Sequence, residues 1–180
     1  RLDSAEVRLD AMQKYIRHDL DDGTIPEGLG IYDHIMLLDC IEHFASPDRF
    51  LEALRDKCFA EHTVIVASTA NIAFLPVRLG LLFGQFNYGR EGILDMTHKR
   101  LFTFSSFKRL LEQEGYKILR LRGVPAPFPK ALRYQWLGRA LIGVNRFLIL
   151  LWPEAFSYQI FAVASFMPPL SALLARTVKE

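Results

Sequence analysis

The segment Tyr32-Asp33-His34-Ile35-Met36-Leu37-Leu38-Asp39-Cys40-Ile41-Glu42-His43-Phe44 decides how this chain is read. A nearly continuous apolar run over residues 31–38 ends abruptly in Asp39. Such a run predicts a β-strand covered on both faces, as in α/β proteins. Glu42 and His43 follow Asp39 at three and four residues. One helical turn after the strand would bring the three polar groups to one face. Carboxylates and an imidazole at the C-terminal end of a buried strand lie where open α/β sheets bind ligands. The bland alternative is a capping box, with Asp39 as N-cap, Glu42 as its partner and His43 an ordinary packed histidine. Against it, Ser46-Pro47-Asp48 is a better helix start, with a hydroxyl cap, Pro at the first position and an early acid.

Working outward, residues 2–12 read as a short helix and residues 15–20 as a strand closed by Asp21-Asp22-Gly23. The helix beginning at Pro47 should run to about Lys57, with Phe50, Leu51, Leu54 and Cys58 as its apolar stripe. Residues 63–68 form a second buried strand. Residues 70–103 are apolar at first and punctuated by glycines, and connections of that length often carry function. Ser105 or Ser106 caps a helix ending at Gly115, residues 117–121 read as a strand, and residues 125–129 as an extended Pro-rich linker. A long helix follows, with Leu132, Trp136, Leu137, Ala140, Leu141, Val144, Leu148 and Leu151 on one face. Residues 156–166 are the last strand and 170–176 a terminal helix. Alternating strands and helices predict an α/β fold with a mostly parallel sheet, and chemistry at the strand ends Asp19, Asp39 and Ser68.

At 180 residues and 51% hydrophobic, the chain is long enough for one cored domain and too apolar for disorder. A net charge of +2 argues neither for nor against nucleic acid. Cys40 and Cys58 lack metal-type spacing and read as reduced thiols of a cytoplasmic protein. No signal peptide opens the sequence, and Arg1 in place of Met points to residues upstream. Between Glu154 and Arg176 there is no charge, a length that could cross a bilayer. Polar interruptions and Pro168-Pro169 oppose a helix there, and the aromatic and branched content favours a buried strand.

Three segments in order carry a specific resemblance. They are residues 32–44, Val66-Ala67-Ser68-Thr69-Ala70-Asn71, and Gly92-Ile93-Leu94-Asp95-Met96-Thr97-His98-Lys99-Arg100-Leu101-Phe102-Thr103. Together they resemble class I S-adenosylmethionine-dependent methyltransferases, in particular the small bacterial-type group related to ubiquinone-pathway O-methyltransferases. The likeness spans about residues 14–122, and residues 156–166 fit the family's last strand. It implies a Rossmann-like α/β sheet, S-adenosylmethionine as cofactor, and methyl transfer to a hydroxyl on a small, sugar or lipid-linked substrate. The family's Gly-rich turn after its first strand is missing, as is the acid after its second; Gly28-Leu29-Gly30 precedes a strand instead. Residues 1–180 therefore read as a single partial methyltransferase domain, its C-terminal two-thirds, with a helical insertion at 131–152. The sheet should have a gap or altered pairing between residues 15–20 and 31–38. The rival is a non-catalytic methyltransferase-like module that binds a partner or a membrane surface.

The resemblance also implies roles. Asp19 would accept from the adenine amino group and Leu20 pack on the ring; otherwise Asp19 forms a turn. Leu38 and Asp39 would line the methionine end of the cofactor. A narrower likeness, acid-x-x-Glu-His with a distant His before an aromatic-Thr segment, is to small-RNA 3′-terminal 2′-O-methyltransferases, whose matching residues bind a divalent cation. It implies Asp39, Glu42, His43 and His98 as ligands of Mn, Mg or Zn, with Asp where Glu is usual. His43 and His98 are also the catalytic candidates, His98 as a general base if no metal is bound. Lys99 and Arg100 would meet an anionic substrate or form a solvated face, and a nucleic-acid partner is not expected. Residues 72–86 and 132–151 read as a substrate lid, a peripheral membrane contact or plain core.

Overall fold

A computed structural model describes residues 16–58, 60, 62–127 and 135–168. Four strands make one sheet: β1 (His34–Leu38), β2 (Val64–Ala70), β3 (Tyr116–Val124) and β4 (Gln159–Phe166), in the order β1-β2-β4-β3. β1 and β2 run parallel, with Leu38 opposite Ser68. β4 is antiparallel to both β2 and β3, so the sheet is mixed and not mostly parallel. The reason lies in the connection from β3 to β4. Val124, at the end of β3, pairs with Gln159, at the start of β4. The chain leaves and re-enters at the same end of the sheet, and no crossover is needed. Hydrophobic periodicity carries no information on that direction.

α1 (Pro47–Cys58) begins at the expected Pro and buries Phe50, Leu51, Leu54 and Cys58, the stripe read from the sequence. They pack with Ile41, Phe44, Ile65, Phe107 and Tyr116 into the core. The Tyr116 hydroxyl donates to the Leu51 carbonyl at 2.6 Å and ties β3 to α1. In β4, Ile160, Ala162, Ala164 and Phe166 are buried and alternate with partly exposed positions, the period-two pattern of a strand.

Several expectations are corrected. β1 is not covered on both faces: Leu37 is buried, but Met36 is 68% and Leu38 51% exposed. Residues 16–20 form no strand. Among the described residues β1 pairs only with β2, so residues 16–20 have no ladder in which to satisfy extended backbone. They run as irregular chain into the turn at Asp21-Asp22-Gly23, where Gly23 N–H donates to the Leu20 carbonyl. α2 (Leu75–Leu82) interrupts the long connection after β2. The cap of α3 (Phe104–Gln113) is Thr103, not Ser105 or Ser106. Thr103 Oγ1 accepts from Ser106 N–H at 3.2 Å while Ser106 Oγ accepts from Thr103 N–H at 2.8 Å. Gly115, with φ +81°, ends that helix region as expected.

α4 (Gln135–Leu151) and the short α5 (Pro153–Phe156) lie between β3 and β4. The apolar face expected of α4 is not its buried face, because Val144 and Leu151 are exposed. The helix is instead held by buried Asn145, whose carboxamide accepts from Ala126 N–H and donates to the Phe156 carbonyl. One side-chain amide satisfying two backbone groups outweighs the stripe in choosing the inward face. The helices expected at residues 2–12 and 170–176 lie outside the described residues, as do Leu132 and the end of the Pro-rich linker. Among the described residues, no helix is long and apolar enough to cross a membrane, and residues 159–166 of the charge-free segment form β4.

Candidate functional site

β1 and β2 end side by side, and the start of β4 lies against β2. Directly after β1 the backbone turns sharply at Asp39, whose φ of 49° is in the left-handed region that side chains disfavour. The turn is held from two other strands. Asp39 N–H donates to the Ser68 carbonyl and to Ser68 Oγ, and Ser68 Oγ donates to Asp39 Oδ1 at 2.8 Å. Gln159 Nε2 donates to both carboxylate oxygens, at 3.0 and 2.9 Å. With its carboxylate so used, Asp39 does not cap the following turn, and no capping box with Glu42 forms.

That turn, Ile41–His43, is a single 3₁₀ turn. It buries Glu42 to 2% exposure. Glu42 Oε1 accepts from Ala70 N–H at 3.3 Å. Its other oxygen, Oε2, is buried without a hydrogen-bond partner among the described residues. The Glu42 carbonyl accepts from the N–H groups of Lys99 and Arg100, which docks the His98 loop against the turn. Lys99 also pairs with Asp21, and Asp21 Oδ1 accepts from Ala45 N–H.

The docking brings His98 beside His43, with ring centroids 4.8 Å apart, edge to face. His98 Nδ1 lies 2.9 Å from the Ile93 carbonyl and His43 Nδ1 3.2 Å from that of Thr97. A carbonyl only accepts, so each Nδ1 is the donor and each neutral ring keeps a lone pair on Nε2. Asp39, Glu42, His43 and His98 line one cleft of about 280 Å³, together with Glu91, Asp95, Tyr158 and Gln159.

Hydrogen bonds from the Thr97 hydroxyl and N–H hold the Asp95 carboxyl below its usual range. Burial, helped by Asp39 and Glu91, raises the Tyr158 phenol. Burial and the neighbouring Glu42 and Asp39 push the Cys40 thiol up to about 12, which leaves it protonated and a poor nucleophile.

Asp19 and Leu20 do not line this cleft. Asp19 is exposed and its carboxylate accepts from Asp21 N–H at 3.0 Å, while Leu20 packs partly against the core. Leu38 stands exposed at the end of β1. Glu91, Asp95, Tyr158 and Gln159 were not read from the sequence as site residues. The signal for two of them was present: Glu91 and Asp95 flank Gly92-Ile93-Leu94 in the third diagnostic segment. Nothing local marks Gln159, a polar residue opening an apolar strand.

The donor set suits a divalent cation, with a carboxylate oxygen left unpaired and two imidazole lone pairs oriented by backbone carbonyls. As the side chains stand, no three His, Cys, Asp or Glu among the described residues are grouped to hold a metal ion.

A family model described as a methyltransferase domain matches residues 5–121, more than half of the chain. The chain belongs to the methyltransferase domain family. Its mixed α/β sheet, with one parallel pair, agrees with the Rossmann-like class I methyltransferase sheet that the sequence resemblance implies. Solved structures similar to this methyltransferase domain include a SAM dependent methyltransferase from Archaeoglobus fulgidus, 16% identical, covering 74% of this chain and 59% of that one, with a TM-score of 0.45. The small RNA methyltransferase HEN1 is 16% identical, covering 74% of this chain and 14% of that one, with a TM-score of 0.45. Phosphoethanolamine N-methyltransferase 2 of Haemonchus contortus, solved with S-adenosyl-L-methionine, is 10% identical over 76% of this chain and 34% of that one, with a TM-score of 0.42. The chain thus spans 59% or less of each of these three. No curated protein matches it in sequence.

Proposed function

We infer that this methyltransferase domain belongs to a cytoplasmic S-adenosylmethionine-dependent enzyme that methylates a hydroxyl on a small, sugar or lipid-linked substrate. The observation that carries the reading is the cleft at the β1 and β2 ends, lined both by buried Glu42, whose Oε2 has no partner among the described residues, and by the His43–His98 pair. Residues 1–180 act in it as one partial domain, with residues 131–152 as an insertion before the last strand.

S-adenosylmethionine supplies an electrophilic methyl group on sulfur. Leu38 and Asp39 would hold its methionine end, and Asp19 and Leu20, which lie outside the cleft, would hold its adenine end. With no metal bound, His98 takes the proton of the acceptor hydroxyl on Nε2, the lone pair left by its Nδ1 bond to Ile93. When bound, the cofactor would supply the methyl carbon to that oxygen and leave with the electrons of the carbon–sulfur bond as a neutral thioether. His43 and Glu42 orient the hydroxyl. In the alternative, where His98 is a ligand and not the base, a divalent cation (Mn, Mg or Zn) would draw Glu42, His43 and His98, with Asp39 beside them, together from positions in which no three of them are now grouped, and would lower the hydroxyl's pKa. A lipid-linked acceptor suits the apolar segments that flank the cleft.

The test uses the intact protein with S-adenosylmethionine labelled in the methyl group and a cell extract divided into lipid and water-soluble fractions. Label should move into one fraction, H98A should abolish the transfer, and E42Q should lower it by about 10- to 100-fold. No transfer, together with no cofactor binding by the intact protein, overturns the reading and favours the non-catalytic module.

A further inference from the structure

We propose that α2 and α4 form one face that docks on an anionic lipid bilayer. α2 has the sequence LPVRLGLL, apolar all round apart from Arg78, yet none of its residues is buried. A helix of that composition ordinarily sits inside protein or lipid. Beyond its end Phe83 is 77% exposed. On the other segment, Phe147 and Leu151 are exposed and Leu150 reaches 81%. Contacts place both segments on one side of the molecule. The Arg78 guanidinium lies 5.6 Å from the ring centre of Trp152, which follows α4 directly. Asn71 Nδ2, just before α2, donates to the carbonyls of Glu154 and Ser157.

Charge chooses the occupant. Arg78 stands over Trp152, and the groove beside Leu150 and Trp152 is lined by Lys108, Arg122 and Arg146 with Glu154 as its one carboxylate. A second copy would set like charges against like, which opposes a dimer through this face. Anionic lipid satisfies both the apolar and the basic character, and exposed Trp152 is of the type that anchors at headgroup depth. A groove of about 1180 Å³ shares Leu150 and Trp152 with this face and is also lined by Arg122 and Arg146. No described helix is long enough to span, so the geometry is that of a helix lying on the surface.

The experiment is flotation of the intact protein with vesicles of phosphatidylcholine alone or with added phosphatidylglycerol. Binding should need the anionic lipid and be lost toward 1 M salt, where the screening length falls to about 3 Å. F83E and L150E change exposed positions, and each should weaken binding roughly tenfold. R122E/R146E is a second variant that leaves the apolar residues in place. H98A should bind vesicles as well as wild type, which separates this proposal from the methyl-transfer reading. Binding that ignores lipid charge, no binding, or unchanged binding by folded variants overturns it. So does a concentration-dependent dimer that F83E and L150E dissociate, which would make a second copy the occupant.

Discussion

The imidazoles of His43 and His98 meet edge to face at 4.8 Å although one follows β1 and the other ends the loop after α2. Their Nδ1 atoms are both directed at loop carbonyls, so the two rings are oriented by the same segment, residues 93–98. If the pair serves a cation, Mn²⁺ should raise the melting temperature of the intact enzyme, and H43A or H98A should abolish the rise. Equal metal-dependent shifts in wild type and H43A would sink the metal proposal.

Glu42 is buried with one oxygen unpaired, an arrangement that costs stability and is tolerated where a ligand uses it. E42Q keeps the volume and an acceptor for Ala70 N–H. Urea denaturation should show stability unchanged or raised, while methyl transfer falls by about 10- to 100-fold. A large loss of stability with activity retained would mean that Glu42 is structural.

The Asp39 turn depends on donors from β2 and β4. Replacing Gln159 by Leu removes two hydrogen bonds to a carboxylate and should cost about 1–2 kcal/mol. D39A loses those bonds and keeps a side chain at φ 49°, so it should be less stable than D39G by about 1 kcal/mol. Equal midpoints for the two variants in thermal melts would show that the left-handed turn relaxes.

Acid should loosen the His98 loop. The hydrogen bond from Lys99 holds the exposed Asp21 carboxyl below its ordinary 3.8, and the Thr97 hydroxyl does the same for Asp95. A depressed folded-state pKa contributes stability that is present above the ordinary value and lost as pH falls through the folded one. The protection of the Lys99 and Arg100 amides, measured against the intrinsic exchange rate at each pH, should therefore fall below about pH 4. D21N and D95N should show faster exchange already at pH 7 and a flatter acid response; a wild-type-like profile in both would exclude this linkage.

Local order along the chain was legible in the sequence. The start and buried stripe of α1, the strand cores of β1, β2 and β4, and the clustering of Asp39, Glu42 and His43 at a strand end follow from residue order, whereas His98 joined them there only through the family resemblance. Periodicity, Pro at a helix start and polar residues at a strand end are local signals. Tertiary structure alone decided the rest. It set β4 antiparallel between β2 and β3, left residues 16–20 out of the sheet, and turned Asn145 rather than the apolar stripe of α4 inward. It also brought Gln159 to Asp39 from far along the chain. Each of these depends on which distant backbone group is available to satisfy a hydrogen bond, and no local pattern of side chains encodes that pairing.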